Sequence, residues 1–345
     1  MLRLPAFQFH QPSTLEDALA RLGDGGPSVR LVAGGTDLWP NMKRRHQSAQ
    51  TVISLMKIDE IRGISARAGS GAGPALSIGA TTLLDDVVRS SDVRERFPAL
   101  ARAVASISSP PLRNMATLGG NLCLDTRCTY YNQTEEWRRS IDYCLKEKGT
   151  VCWVAPGSST CWAHSASDSA PMLQALEASV TLRSSKRERK IAVGDLFAKD
   201  GMRYLNIQPG EVLTGIEIPG SSARDRCASA FWKLRRRGSI DFAVLSVAVT
   251  LWLDRAGTIE KARVVLGAVA SRPLAVAAAE AALVGHRPAR DVIRAAARAA
   301  RRAATPMDNT DFKTQWRGVM VERYAEAALC EAAALEHDRP PPPHL

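Results

Sequence analysis

The sequence predicts an α+β fold, and three observations carry that prediction. The N-terminal part alternates short apolar strand patterns with short helical ones, the C-terminal third runs three strand patterns into Ala-rich helices, and a cysteine-rich segment with neither period lies between them. At 345 residues and 45% hydrophobic content, the chain is long enough for two or three domains with a sizeable core.

No stretch approaches the roughly 18 consecutive apolar residues of a membrane span. The start, MLRLPAFQFHQPSTLEDAL, lacks a signal-peptide cleavage pattern, so cytoplasmic residence is the default expectation. A formal charge of +11 invites a nucleic-acid reading. The basic residues are scattered, however, over Lys43 to Arg45, Lys186 to Lys190, Arg235 to Arg237 and Arg294 to Arg302, without a recognition motif. They read as a solvated face, and the expected partners are neither nucleic acid nor membrane.

Taken in order, Ser13 opens a helix over Thr14 to Leu22, with Glu16 at the capping-box position and Leu15, Ala18, Leu19 and Leu22 on one face. Val29 to Ala33 reads as a buried strand feeding Gly34-Gly35-Thr36-Asp37. Such a turn lets backbone N–H groups approach a phosphate, and it matches neither the dinucleotide fingerprint nor a P-loop. Strands follow at Thr51 to Leu55 and Ala75 to Ala80, the second behind a Gly-rich bend at Gly69 to Gly73. Thr82 and Asp85 form a capping box for a helix through Val88, and Glu95 to Ile107 is helical with Pro98 in its first turn. Thr117 to Asn121 is a second small-residue turn.

C-terminally, Ala228 to Lys233, Val244 to Asp254 and Thr258 to Leu266 read as strands. Helices follow at about 273–284, 290–304 and 314–336. Arg339 onward, with four consecutive prolines, reads as a disordered tail.

The central segment holds Cys128, Cys144, Cys152 and Cys161 in a C-x15-C-x7-C-x8-C run. Six of the twelve Trp and Tyr residues lie in or beside it: Tyr130, Tyr131, Trp137, Tyr143, Trp153 and Trp162. Four thiolates bind a soft metal or an iron–sulfur cluster, and an apolar aromatic shell around them disfavours an added electron, which implies a low potential. Structural zinc prefers two tight cysteine pairs, which this run lacks. A disulfide pair conflicts with a reducing compartment. From the residues alone, a metal or cluster site and a set of free buried thiols both stand, with Cys123 and His164 as neighbouring donors.

The segments LVAGGTDL at 31–38 and NMATLGGN at 114–121 resemble the FAD-binding subunit of the molybdenum hydroxylases, the xanthine dehydrogenase and carbon monoxide dehydrogenase group. The resemblance extends through FHQPSTLEDAL, IGATT at 78–82, SDSAPML at 167–173, VLTGIEIP at 212–219 and FWKLRRRGSIDFA at 231–243. It implies a two-subdomain FAD-binding (PCMH-type) fold over 1–222, divided at about 56, with an insertion at 122–165. A C-terminal domain of small antiparallel sheet and helices then spans 223–338, before a tail at 339–345. It implies FAD contacts at Leu31, Val32, Ala33, Gly34, Gly35, Thr36, Asp37, Leu38, Thr117, Leu118, Gly119, Gly120 and Asn121. Asp168 would reach the ribose region, with Leu213 and Lys233 near the flavin.

The insertion is the departure from the family pattern, since Asn121 and Asp168 stand 47 positions apart (168 − 121) where family members pass between them in a short step. One branch, the β subunits of 4-hydroxybenzoyl-CoA reductase, is similar here: its insertion carries a [4Fe-4S] cluster. That resemblance implies Cys128, Cys144, Cys152 and Cys161 as ligands and omits Cys123. It further implies an oxidoreductase subunit with no catalytic acid or base. Electrons would pass from ferredoxin to a molybdopterin-binding large subunit and a [2Fe-2S] small subunit, in a dimer of heterotrimers. The alternative is an FAD subunit passing electrons outward to NAD or a quinone.

Overall fold

Residues 8–54 make the first sheet, and its strands are short because turns and helices interrupt every apolar run. The computed structural model describes residues 3–24, 26–66, 74–223 and 226–337. The Gly69 to Gly73 bend and the proline tail lie outside the described residues. Strand β1 (Gln8–His10), helix α1 (Leu15–Asp24), β2 (Val29–Val32), α2 (Leu38–Lys43) and β3 (Thr51–Ser54) follow in turn. Both β1 and β2 pair in parallel with the central β3. Helix α1 buries Leu15, Ala18 and Leu19, the i, i+3, i+4 face read from the sequence. Its cap is Thr14, whose hydroxyl accepts from Asp17 N at 3.2 Å, one residue later than the expected Ser13.

The second sheet is antiparallel, in the order β4-β5-β8-β6-β7. It comprises β4 (Ile64–Ala66), β5 (Pro74–Gly79), β6 (Ser179–Arg183), β7 (Glu188–Ala192) and β8 (Val212–Pro219). Between β5 and β6 run α3 (Leu84–Arg89), α4 (Ser91–Arg96), α5 (Pro98–Ala105), α6 (Pro110–Arg113), α7 (Leu118–Leu122), α8 (Glu135–Ser140) and α9 (Ser169–Ala175). The expected helix over 95–107 breaks at Phe97, because Pro98 has no N–H to continue a helix and takes the first position of α5 instead. Thr82 does not cap α3; its hydroxyl serves the Gly63 backbone at 2.9 and 3.0 Å.

The third sheet, order β12-β11-β10-β9, is antiparallel throughout. Its strands are β9 (Cys227–Leu234), β10 (Leu245–Leu253), β11 (Ile259–Gly267) and β12 (Leu274–Ala275), followed by α10 (Ala277–Ala281), α11 (Arg290–Ala303) and α12 (Thr314–Ala332). The expected 273–284 helix is therefore shorter, its first residues having joined the sheet. Strand β10 is buried on both faces, which is why it reads as continuous apolar sequence rather than an alternating one. Leu245, Val247, Val249 and Leu251 pack under the C-terminal helices, while Ala248 joins the core around Leu100, Met172 and Leu173 of α5 and α9. The C-terminal domain is thus fused to the middle unit through one face of its sheet, with Phe231 of β9 and Val265 of β11 in the same core as Ala248. Arg317 of α12, fully buried, donates to the carbonyls of Val244, Ala268 and Met307 and ties the helix to this sheet. No helix among the described residues is long and apolar enough to cross a membrane.

Candidate functional site

The two small-residue turns meet. A Cβ on Gly34 would lie 1.7 Å from the Met115 carbonyl oxygen, so the first turn packs directly on the backbone that leads into the second. Gly35 has φ +73°, and its Cβ would fall 1.9 Å from the Trp39 indole nitrogen; glycine is required twice over, by conformation and by space. Gly119 is closed off by Ala80, whose carbonyl accepts its N–H at 2.9 Å. Gly120 differs from these three. Its Cβ would meet only Thr117 Oγ1, at 2.9 Å, and Ala33 Cβ, at 4.0 Å, and it faces an open cleft.

That cleft measures about 810 Å3, within the usual range for a small-molecule site. Leu31, Val32, Ala33, Gly34, Gly35, Thr36, Asp37 and Leu38 line it from β2 and its turn, and Thr117, Gly119, Gly120 and Asn121 from the start of α7. Asp168 and Leu213 line it too. Leu118 does not: it is buried in the core behind the turn. Lys233 is also off the cleft wall, and it is not the solvated lysine that its sequence context allows. Its ammonium, 3% exposed, donates to Asp168 Oδ2 at 2.8 Å and to the Ser106 carbonyl at 3.1 Å. Burial still pushes the Asp168 carboxyl above its ordinary value, against the Lys233 charge that lowers it. Asp168 Oδ1 is buried without a protein partner, an acceptor left for a donor in the cleft.

The cysteine insertion closes at its base through a reciprocal pair: Arg127 N donates to His164 O at 2.9 Å, and His164 N to Arg127 O at 2.8 Å. Above this pair Cys128, Cys144, Cys152 and Cys161 are all buried, all free thiols, and all line one small cavity of about 10 Å3. Cys123 lines the flavin-sized cleft, and His164 donates its buried ring nitrogen toward Ser165 O; neither lines the cysteine cavity. Burial raises the Cys128 thiol to about 12 and the Cys161 thiol to about 11. Backbone N–H groups of Tyr130 and Tyr131 oppose that at Cys128, those of Lys146 and Glu147 at Cys144, and that of Ala163 at Cys161. Amide N–H groups aimed at sulfur favour the thiolate form.

Among the described residues, no group of three or more His, Cys, Asp or Glu is placed to hold a metal ion. The expected aromatic shell is partial. Tyr130, Tyr131 and Trp153 line the cavity, while Trp137 and Trp153 are 38% and 40% exposed.

The insertion is held by charges that follow no period along the chain. Arg138, 1% exposed, bonds Glu147 and Glu135 and the Arg44 carbonyl. Asp142 and Tyr143, just before Cys144, both take left-handed φ of 59°, a conformation that costs about 1–2 kcal/mol per residue. It is held by Asp142 N to Arg139 O, Tyr143 N to Arg138 O and Trp153 Nε1 to Tyr143 O. Arg127 reaches out of the insertion to Asp37 of the first turn at 2.5 Å. Lys146 donates to Asp125 Oδ1 at 2.7 Å and to Gly201 O at 2.8 Å. Sequence reasoning missed Asp125, Arg127, Arg138 and Lys146, because isolated charges in an aperiodic loop carry no pattern.

Comparison with known proteins matches residues 5–221 to the FAD binding domain in molybdopterin dehydrogenase. Residues 229–332 match the CO dehydrogenase flavoprotein C-terminal domain. The chain is 28% identical over 333 residues to the carbon monoxide dehydrogenase medium chain of Hydrogenophaga pseudoflava, covering 95% of this chain and 99% of that one. It is 29% identical over 295 residues to the aldehyde oxidoreductase FAD-binding subunit of Escherichia coli K12, covering 81% and 86%. A solved carbon monoxide dehydrogenase from Hydrogenophaga pseudoflava, lacking the Mo-pyranopterin moiety of the molybdenum cofactor, superposes with TM-score 0.77 at 27% identity, over 96% of this chain and 99% of that one.

Proposed function

Since the chain belongs to the FAD-binding subunits of the molybdenum hydroxylases, of the carbon monoxide dehydrogenase medium-chain type, we propose that it is the electron-transfer subunit of a 4-hydroxybenzoyl-CoA reductase. In this reading 1–222 is the FAD-binding domain, 122–165 an inserted [4Fe-4S] loop and 223–338 the C-terminal domain. One observation carries it: four free, buried cysteines from a single insertion line one cavity beside the cleft.

The residues around the cleft fit FAD. Thr36, Gly120 and Asn121 would receive the pyrophosphate, Asp168 Oδ1 a ribose or ribityl hydroxyl, and Leu213 the apolar ring edge. Flavin, when bound, exchanges one or two electrons and so suits a junction between one-electron clusters. The chain's own work is to bind, orient and exclude water; no side chain here serves as a substrate acid or base. Partner chains would carry molybdopterin and [2Fe-2S], with ferredoxin as the donor. Removing the phenolic hydroxyl of 4-hydroxybenzoyl-CoA as water consumes two electrons and two protons.

A second reading has its own support: the relatives are named as dehydrogenases, among them carbon monoxide dehydrogenase and nicotinate dehydrogenase. In that reading FAD passes electrons outward to NAD or a quinone and the insertion is structural. The whole complex, purified anaerobically and given reduced ferredoxin with 4-hydroxybenzoyl-CoA, distinguishes the two. Benzoyl-CoA formation supports the reductase; substrate-dependent reduction of NAD or a quinone, with no ferredoxin-driven turnover, supports the dehydrogenase.

A further inference from the structure

Two side chains, Tyr131 and Lys146, line both the flavin-sized cleft and the cysteine cavity, so they form the wall between them. The Lys146 ammonium is 5% exposed and fully engaged: Asp125 Oδ1 at 2.7 Å, Thr126 Oγ1 at 2.5 Å and Gly201 O at 2.8 Å accept from it. It also lies 4.8 Å from the centre of the Tyr131 ring and 5.4 Å from that of Tyr204. Its counter-charge is not symmetrically placed. Asp125 lines the cleft but not the cysteine cavity, whereas Lys146 and Tyr131, whose ring the ammonium approaches, line both. The pair therefore sets its cationic residue, and not its anionic one, in the wall shared with the cysteine cavity.

A buried ion pair of this kind is a poor source of stability, because desolvating both charges offsets most of their attraction. Its orientation does have a consequence for electron transfer. Reducing a four-thiolate cluster by one electron adds one negative charge to the cysteine site, and in a site screened from water a neighbouring ammonium lowers the cost of that charge. We propose that Lys146 is a positioning residue that raises the reduction potential of the cysteine-bound cluster, with Asp125 limiting the rise. The inference rests on the cluster assignment proposed above. It qualifies the low potential expected from thiolates and aromatics alone, since neither residue pattern announces the lysine.

The test is a mediated redox titration of the full complex, following the cluster by electron paramagnetic resonance, after iron and sulfide analysis of every variant. Lys146→Met should lower the equilibrium constant for reduction at least about tenfold, a shift of about 59 mV to more negative potential for one electron. Asp125→Asn should shift it the opposite way, and Lys146→Arg should restore the wild-type value. A structural role alone would not move the potential in opposite directions. If Lys146→Met loses its cluster, the signs for Asp125→Asn and Lys146→Arg decide. Clusters present with potentials unmoved, or moved the same way by Lys146→Met and Asp125→Asn, overturn the inference and leave the cluster assignment intact. A wild-type complex with no iron and sulfide beyond those of its [2Fe-2S] chain overturns the assignment itself, and the inference with it.

Discussion

Arg127 Nη2 lies 2.5 Å from Asp37 Oδ1, so the cysteine insertion is clamped to the turn that ends β2. Asp37 also accepts from Asp125 N at 3.4 Å, and the Arg127 guanidinium stacks 4.4 Å from the Phe242 ring. Burial holds the Asp37 carboxyl above its ordinary range even beside Arg127. Removing the arginine leaves that carboxylate half-buried and without its counter-charge. Arg127→Met is expected to cost about 1–3 kcal/mol and to loosen flavin binding by a corresponding factor, read by flavin release on dilution. Unchanged flavin retention would show that the clamp does not shape the cleft.

The four turn glycines separate into two classes. Gly34→Val, Gly35→Val and Gly119→Val push a side chain into the Met115 carbonyl, the Trp39 ring or the Ala80 backbone, and should lower the melting temperature sharply. Gly120→Val meets only Thr117 Oγ1 and points into the cleft, so the fold should persist while flavin is lost. Thermal unfolding paired with flavin absorbance separates these outcomes. A folded Gly120→Val protein with full flavin would refute the phosphate cradle.

His46 supplies a pH dependence. It is buried against Tyr131, donates its Nε2 proton to Gln133 O at 3.1 Å and leaves Nδ1 without a partner. Burial lowers its pKa from 6.5 to about 4. The unfolded chain therefore binds this proton more readily between pH 6.5 and 4, and stability falls as pH falls through that window, by roughly 3 kcal/mol in all. Urea midpoints across pH 4 to 7 should show the slope, and His46→Gln should flatten it. An equal slope in the variant would assign it to other groups.

Lys233 and Asp168 form the most buried ion pair at the cleft. Breaking one side strands the other charge, so Lys233→Met is expected to cost about 3–5 kcal/mol. Lys233→Met with Asp168→Asn should recover much of that loss. Equal destabilisation in the single and double variants, measured by denaturant unfolding, would show that Lys233 acts through packing alone.

Much of this architecture was legible because burial writes periods into sequence. Strands β9, β10 and β11 stand close to the apolar runs that announced them, and α1 buries the face its spacing marked. Strands β1, β4, β6, β7, β8 and β12 are not among those the sequence predicts. Of these, β1, β4, β7 and β12 are short edge strands, whereas β6 and β8 lie inside the second sheet, and the stability of all six comes from partners far along the chain. In the site, the glycines and cysteines stand out by residue type. The charges that clamp the insertion do not, since Asp125, Arg127 and Lys146 have meaning only relative to Asp37, Gly201 and the cavity. Why three turn glycines must be glycine was also hidden, because Met115, Trp39 and Ala80 are contacts of the folded chain.

If the four cysteines of the insertion hold an electron-transfer cluster beside FAD, anaerobic purification followed by iron, acid-labile sulfide and flavin analysis will find about four iron and about four sulfide per FAD beyond those of the [2Fe-2S] partner chain. That excess should be lost in Cys144→Ser with flavin retained, and kept in Cys123→Ser. Stoichiometric zinc, or no iron and sulfide beyond the partner chain's in a protein that retains its flavin, would show that the cysteines hold no such cluster.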